Sequence, residues 1–196
     1  ITPTAIYVTG SSHNLLIENN YIHDLGTRVN NDKGNAHGIA VYGTRPIKDI
    51  QINNNRVENL SLGHSEAVVI NGDVTNFEVN NNQVNNNNNI GIDIIGFEGT
   101  ATTDNDYARR GDIIGNTVTR NSISGNPGYK GEDPSAGVIY VDGGKQVFIQ
   151  NNTVTNNDIG IEVASENFQK LTEEVWVESN TVINSIYAGL AVGGYD

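Results

Sequence analysis

Four residues able to do chemistry fall into register when the chain is aligned on its own internal repeat. Asp93, Tyr140 and Glu162 occupy one position in three successive repeats, and Asp142 lies two residues beyond Tyr140. Carboxylates accept hydrogen bonds from sugar hydroxyls, and a phenol ring packs on the apolar face of a pyranose. Three carboxylates also offer hard oxygen ligands to calcium. If repeats stack at about 4.8 Å, the backbones of Asp93 and Glu162 stand about 9.6 Å apart. That lies near the upper end of the ~6.5–9.5 Å carboxyl separation of inverting glycosidases. Asp93, Asp142 and Glu162 are therefore the candidate catalytic or calcium-binding set. Tyr42, on the neighbouring outward column, and Glu98 and Arg109, on the adjoining loop, complete a candidate glycan site.

The elements that must position these residues are short strands. The first half of each repeat reads as a small residue, then apolar, any, apolar, any, and usually glycine: GIAVYG (38–43), GIDIIG (91–96) and VIYVDG (138–143) are examples. The second half runs apolar, two mostly polar residues, asparagine, any, apolar, from Ile17–Ile22 through Val177–Val182. Both halves alternate with period two, which is strand and not helix. Repeats of about 22–36 residues predict an all-β, right-handed parallel β-helix over 1–196, with six full coils and the start of a seventh.

The chain contains 31 asparagines, enough to suggest a disordered, prion-like tract. Their fixed spacing opposes that reading. One position of the second half is asparagine in every repeat: Asn20, Asn55, Asn82, Asn116, Asn152 and Asn180. Stacked asparagines can exchange amide hydrogen bonds along a ladder, and asparagine tolerates the left-handed backbone of sharp turns. This column is expected to be scaffold.

In register, the first strand carries two outward columns, Tyr7, Ala40, Val69, Asp93, Tyr140, Glu162, Ala191 and Thr9, Tyr42, Asn71, Ile95, Asp142, Ala164, Gly193. Two long turns, Phe97–Gly111 and Gly125–Ser135, bracket the acidic part and are expected to wall a groove. The second strand has its own outward column: Leu16, Gln51, Glu78, Asp112, Phe148 and Trp176. Phe148 and Trp176 thus form a secondary aromatic platform, suited to sugar stacking or to docking a flanking segment. His13, His23, His37 and His64 sit in turns without metal-ligand spacing, and are expected to be solvated.

Composition removes several function classes. With 11 Lys and Arg against 23 Asp and Glu, the net charge is -12, which opposes a nucleic-acid partner. No apolar run approaches the ~20 residues of a membrane span. Zero cysteine excludes disulfides, thiolate zinc sites and cysteine nucleophiles. The chain begins at Ile1, with no methionine anywhere, so a processed or partial chain is expected. Bare strand edges at either end call for flanking sequence, a neighbouring domain or a partner chain.

The runs GIDIIGFEGT (91–100), GVIYVDGG (137–144), NDIGIEVASE (157–166) and GGYD (193–196) resemble those of secreted bacterial right-handed β-helix proteins of carbohydrate metabolism. That group includes pectate-, alginate- and chondroitin-type lyases and a β-helical xylan-binding module attached to glycoside hydrolases. The resemblance implies secretion, glycan contact and a neighbouring catalytic domain. Lyases of this fold place Lys or Arg beside their calcium, whereas no first-strand outward position here is basic, leaving Arg109 or Arg110 on a loop. Pectinase-type signatures (Asn-Thr-Asp, Asp-Asp, Gly-His-Gly, Arg-Ile-Lys) are absent. The expectation is a non-catalytic module for a neutral plant-type polysaccharide, xylan favoured and without an obligatory cofactor. A lyase, with calcium, and an inverting hydrolase are the alternatives.

Overall fold

A computed structural model describes residues 2–27, 34–130 and 132–194. Tyr195 and Asp196 of the GGYD run, and Ile1, lie outside the described residues. The strands in chain order are β1 (Thr4–Thr9), β2 (Ser12–Glu18), β3 (Tyr21–His23), β4 (His37–Asn53), β5 (Arg56–Glu58) and β6 (Val68–Asn80). There follow β7 (Gln83–Asn85), β8 (Ile92–Ile95), β9 (Arg109–Ile114), β10 (Thr117–Thr119), β11 (Gly137–Asp142) and β12 (Lys145–Gln150). The last are β13 (Thr153–Thr155), β14 (Ile159–Ala164), β15 (Glu173–Glu178), β16 (Thr181–Ile183) and β17 (Ala188–Val192). The fold is all-β, with no α-helix among the described residues.

Every named strand pair is parallel. An 11-stranded sheet curls strongly, because β4 and β6 each run around its corner and contribute to two faces. The third strands form a separate six-stranded sheet, β3-β5-β7-β10-β13-β16. The register is the one the repeat predicts: Val69 pairs with Asp93, Asp93 with Tyr140 and Tyr140 with Glu162. On the second face Glu78 pairs with Asp112, Asp112 with Phe148 and Phe148 with Trp176.

Inward alternates such as Ile39, Ile50, Val79, Ile94, Ile113, Val141 and Ile149 form one continuous buried cluster. At the corner beside it the asparagine ladder is complete. Each side-chain amide donates to the next repeat's Oδ1, at 2.9, 3.1, 3.0, 3.0 and 2.9 Å from Asn20 through to Asn180. The backbone N–H of each rung donates to the same Oδ1.

Two features differ from the sequence expectation. The left-handed residue is the one before each ladder asparagine: Asn19, Asn54, Asn81, Gly115, Asn151 and Ser179. The ladder asparagine itself is spared that conformation and turns its amide inward. A second ladder also runs five residues further on, where Asn87 Nδ2 donates to Asn121 at 2.9 Å and Asn121 Nδ2 to Asn157 at 3.4 Å. A further left-handed column, Asn14, Asp49, Asn76, Arg110, Gln146 and Glu174, bends the second strands themselves.

Candidate functional site

The acidic residues of the first-strand face are brought together as the register requires, but they are not on the surface. Asp93 is 2% exposed, Tyr140 3% and Asp142 3%, and Glu162 is also buried. Ala40, Val69 and Ile95 of the same outward columns form a small second apolar cluster against Tyr42. The expectation of a solvent-facing strip is therefore wrong for these rows. Residues just beyond the strand ends close on parts of this face. Glu98, just after β8, accepts from Asn71 Nδ2 at 2.8 Å. Glu166, just after β14, donates its backbone N–H to Asp142 Oδ1 at 2.8 Å and accepts from the Tyr140 hydroxyl at 3.4 Å. Glu162 folds back over Gly137, where any Cβ would meet its carboxylate at 2.4 Å.

Burial gathers protons on this face. Desolvation, followed by the charge of Glu98, pushes Glu66 up to about 8. Desolvation raises Asp142 to about 7 and Asp93 well above its ordinary value, with Glu66 the next largest influence on Asp93. Carboxyls that hold protons near neutrality are the form a general acid needs. Among the described residues, Asp93 Oδ1 and Asn71 Oδ1 are buried without a hydrogen-bond partner. Glu66 and Glu166, central to this electrostatics, escape a strand-based reading because both lie just outside the strands. Only their two-residue offset from β6 and β14 marks them.

The other expectations for this face are resolved residue by residue. Tyr42 is half-buried and Glu98 exposed at the rim. Arg109 is not beside the acids; its guanidinium is held by Asp73 at 2.9 Å on the corner between first and second strands. Asp93, Asp142 and Glu162 do not form a cation cage, and among the described residues no three His, Cys, Asp or Glu side chains are grouped to hold an ion. His37 is not a solvated turn residue. It is buried, its pKa is lowered by desolvation, and its Nδ1 lies 3.5 Å from Glu66 Oε2. His64 packs on Tyr129, ring centroids 4.7 Å apart. The two long turns do stand at opposite ends of the face: Phe97–Ala108 follows β8, and Asn126 and Tyr129 of the other dock on Gly63 and Asn89 ahead of β11.

The second-strand face is open. Phe148 and Trp176 stack with centroids 4.4 Å apart and planes 10° from parallel. They remain 37% and 39% exposed, respectively. With Arg110, Gly111, Asp112 and Gln146 they line a depression of about 390 Å³. Arg110 Nε donates to Gln146 Oε1 at 3.3 Å, and Gln146 Nε2 to Glu174 Oε2 at 2.7 Å, so a polar row borders the rings. Arg110 and Gln146 also line an adjoining groove of about 530 Å³ at the corner, with Lys48, Thr75 and Lys145. Sequence reasoning did not single out that corner. Its signal was the column Lys48–Thr75–Arg109–Lys145, which the strand register aligns.

Over 195 residues the chain is 54% identical to the uncharacterized protein YwoF of Bacillus subtilis (strain 168), a match covering all of this chain and 41% of that protein. The chain thus spans less than half the length of the curated relative it matches. No protein-family model and no solved structure matches the chain. No helix among the described residues is long and apolar enough to cross a membrane.

Proposed function

We propose that the chain is a right-handed parallel β-helix that acts as a secreted, non-catalytic binding module for a neutral plant-type polysaccharide, xylan favoured. In-register parallel strands, three to a repeat, support the coil, and crossover connections between parallel strands are almost always right-handed. The resemblance of GIDIIGFEGT and its companions to β-helix proteins of carbohydrate metabolism supports the ligand class and a neighbouring catalytic domain. The contact face in this reading is the second-strand face, not the acidic one.

The observation that carries it is the open Phe148–Trp176 stack. A polymer must touch its receptor along a surface, and Asp93 and Tyr140 at 2% and 3% exposure present almost none. The aromatic pair offers an apolar surface for a sugar ring, while Asp112 and Gln146 offer hydroxyl-binding partners beside it. Trp176→Ala should weaken retardation in xylan affinity gels at least fivefold, since buried aromatic anchors dominate such contacts. Tyr140→Ala, if folded, should change it less than twofold. The reverse order, or a wild-type chain that no polysaccharide retards, refutes the reading.

One observation favours an inverting hydrolase as the second reading: Glu66 and Asp142, on the same face as the Asp93–Glu162 pair, have carboxyls that burial pushes up to about 8 and about 7. New reducing ends released from xylan or β-glucan, and lost in Asp93→Asn and Glu162→Gln with folding preserved, would promote it. The lyase reading has the weakest support, because Arg109, one of its two candidate cations, is committed to Asp73.

A further inference from the structure

We propose that the corner groove is an anion subsite that recognises a carboxylate on an acidic sugar substituent of the bound polysaccharide, through Lys48, Arg110 and the hydroxyl of Thr75. The inference rests on the glycan-binding reading and adds to it which decorated chains the module prefers. Four of the chain's 11 basic residues line this one groove: Lys48, Arg109, Arg110 and Lys145. In a chain of net charge -12 that is a local reversal of sign, and a concave basic site concentrates anions.

The four cations are not equivalent. Arg109 is spent on Asp73 at 2.9 Å and on the Tyr107 carbonyl at 3.1 Å. Lys145 Nζ lies 3.2 Å from Glu173 Oε2 and 5.0 Å over the Tyr107 ring. Both are therefore structural, and they fix Tyr107 as one wall. Lys48 is exposed, and among the described residues its ammonium has no acceptor. Among the described residues Arg110 uses only Nε, on Gln146, which leaves its two terminal nitrogens directed by that bond but unspent. Between the two rows that carry them lies Thr75, in register with Arg109. Thr75 lines the groove, and its Oγ1 is buried beneath that wall with no partner among the described residues. A buried hydroxyl without a partner is costly, and a turn about its χ1 toward the groove would let an anion accept its proton.

The ligand's charge and size follow from the same residues. Glu173 pairs with Lys145 and Glu174 stands at the far end opposite Lys48 and Arg110, so the groove's uncompensated positive charge is small and is matched by a singly charged carboxylate. The planar carboxylate also suits bidentate pairing with a guanidinium. Because Arg110 and Gln146 line both this groove and the aromatic depression, a ring on Phe148 and Trp176 would place a side substituent across the corner. A neutral backbone with scattered carboxylates remains compatible with the acidic protein as a whole.

The test compares a uronate-decorated xylan with the same polymer after chemical reduction of its carboxyl groups, by titration calorimetry at low and at high salt. Wild type should bind the decorated polymer at least fivefold more tightly at low salt, and the difference should shrink at high salt. Lys48→Gln alone should shrink the difference while leaving the reduced polymer unaffected, and adding Arg110→Gln should abolish the difference. Gln already occupies Arg110's left-handed position one repeat on, at Gln146, so folding should survive. Thr75→Val should reduce the preference, and Trp176→Ala should weaken both polymers alike. Equal binding of the two polymers by wild type overturns the subsite and leaves the module reading intact. If neither polymer binds, the module reading falls, and titrating free glucuronate against glucose and inorganic phosphate decides the subsite separately. Glucuronate that shifts the Thr75 and Gln146 amide resonances more than the other two upholds it, and no selective shift ends it.

Discussion

Replacing Asn116 by Ala tests whether the ladder is a stabilising element or only a consequence of stacking. Asn116 is fully buried and all four of its side-chain hydrogen bonds are made. Its Nδ2 donates to Asn152 Oδ1 at 3.0 Å and to the Val79 carbonyl at 2.7 Å. Its Oδ1 accepts from the backbone N–H of Asn82 at 2.8 Å and from Asn82 Nδ2 at 3.0 Å. Alanine leaves three groups short: the Asn82 N–H, one Asn82 amide hydrogen and the Val79 carbonyl. Asn152 Oδ1 keeps its bond from the Asn116 backbone at 2.8 Å. At ~1–3 kcal/mol for each buried orphan, less what a water in the vacated space restores, the cost is about 2–4 kcal/mol. Asn20, at the open end of the ladder, only donates among the described residues, and Asn55 Oδ1 keeps the Asn20 backbone N–H at 3.0 Å. Asn20→Ala should therefore cost less than about 1 kcal/mol, and exposed Asn105→Ala about 0.5 kcal/mol or less. Stacked repeats can fray rather than unfold together, so urea denaturation should be paired with hydrogen exchange at the Asn82 amide. A melt of Asn116→Ala indistinguishable from Asn105→Ala, or equal losses at Asn20 and Asn116, would refute the argument.

Two other perturbations have definite signs. Glu66 and Asp142 are raised to about 8 and about 7, so between their ordinary values and those limits the folded chain holds protons that the unfolded chain releases. Stability should fall as pH rises from about 5 to about 8, with the raised Asp93 acting in the same sense and Glu66→Gln flattening the slope; the depressed His37 acts in the opposite sense around its ordinary 6.5. A melting temperature that rises steadily from pH 5 to 8 contradicts this. Gly111 lies under the Phe77 ring, which a Cβ there would meet at 2.0 Å. Gly111→Ala should destabilise by about 3 kcal/mol or more, and Phe77→Leu in the same chain should recover part of the loss, as chemical denaturation can show.

Local rules carry a long way in this chain. Period-two alternation and a fixed asparagine set the strands, and because each repeat pairs only with its neighbours, they also set the register that joins Asp93, Tyr140 and Glu162. The second ladder is equally local, five residues after the first at Asn87, Asn121 and Asn157, but in so asparagine-rich a sequence it has little contrast. The left-handed residue before each ladder position is local too; Asn, Gly and Ser all serve there, so no single residue type marks it.

What a repeat pattern does not encode is what lies over a face. Alternation distinguishes the core side of a sheet from its outer side, not the outer side from solvent. Glu98 closes on Asn71 and Glu166 on Asp142 and Tyr140; both come from loops whose lengths obey no period, and their placement depends on contacts between different repeats. The same holds for the corner groove: the register aligns Lys48, Thr75 and Arg109, but only the folded corner sends Arg109 to Asp73 and leaves Thr75 unpaired. The sequence by itself determined the strands, their register and the scaffold asparagines, because those interactions recur between nearest neighbours. The tertiary structure decided which outward residues meet solvent, because that depends on loops packing where no repeat requires them.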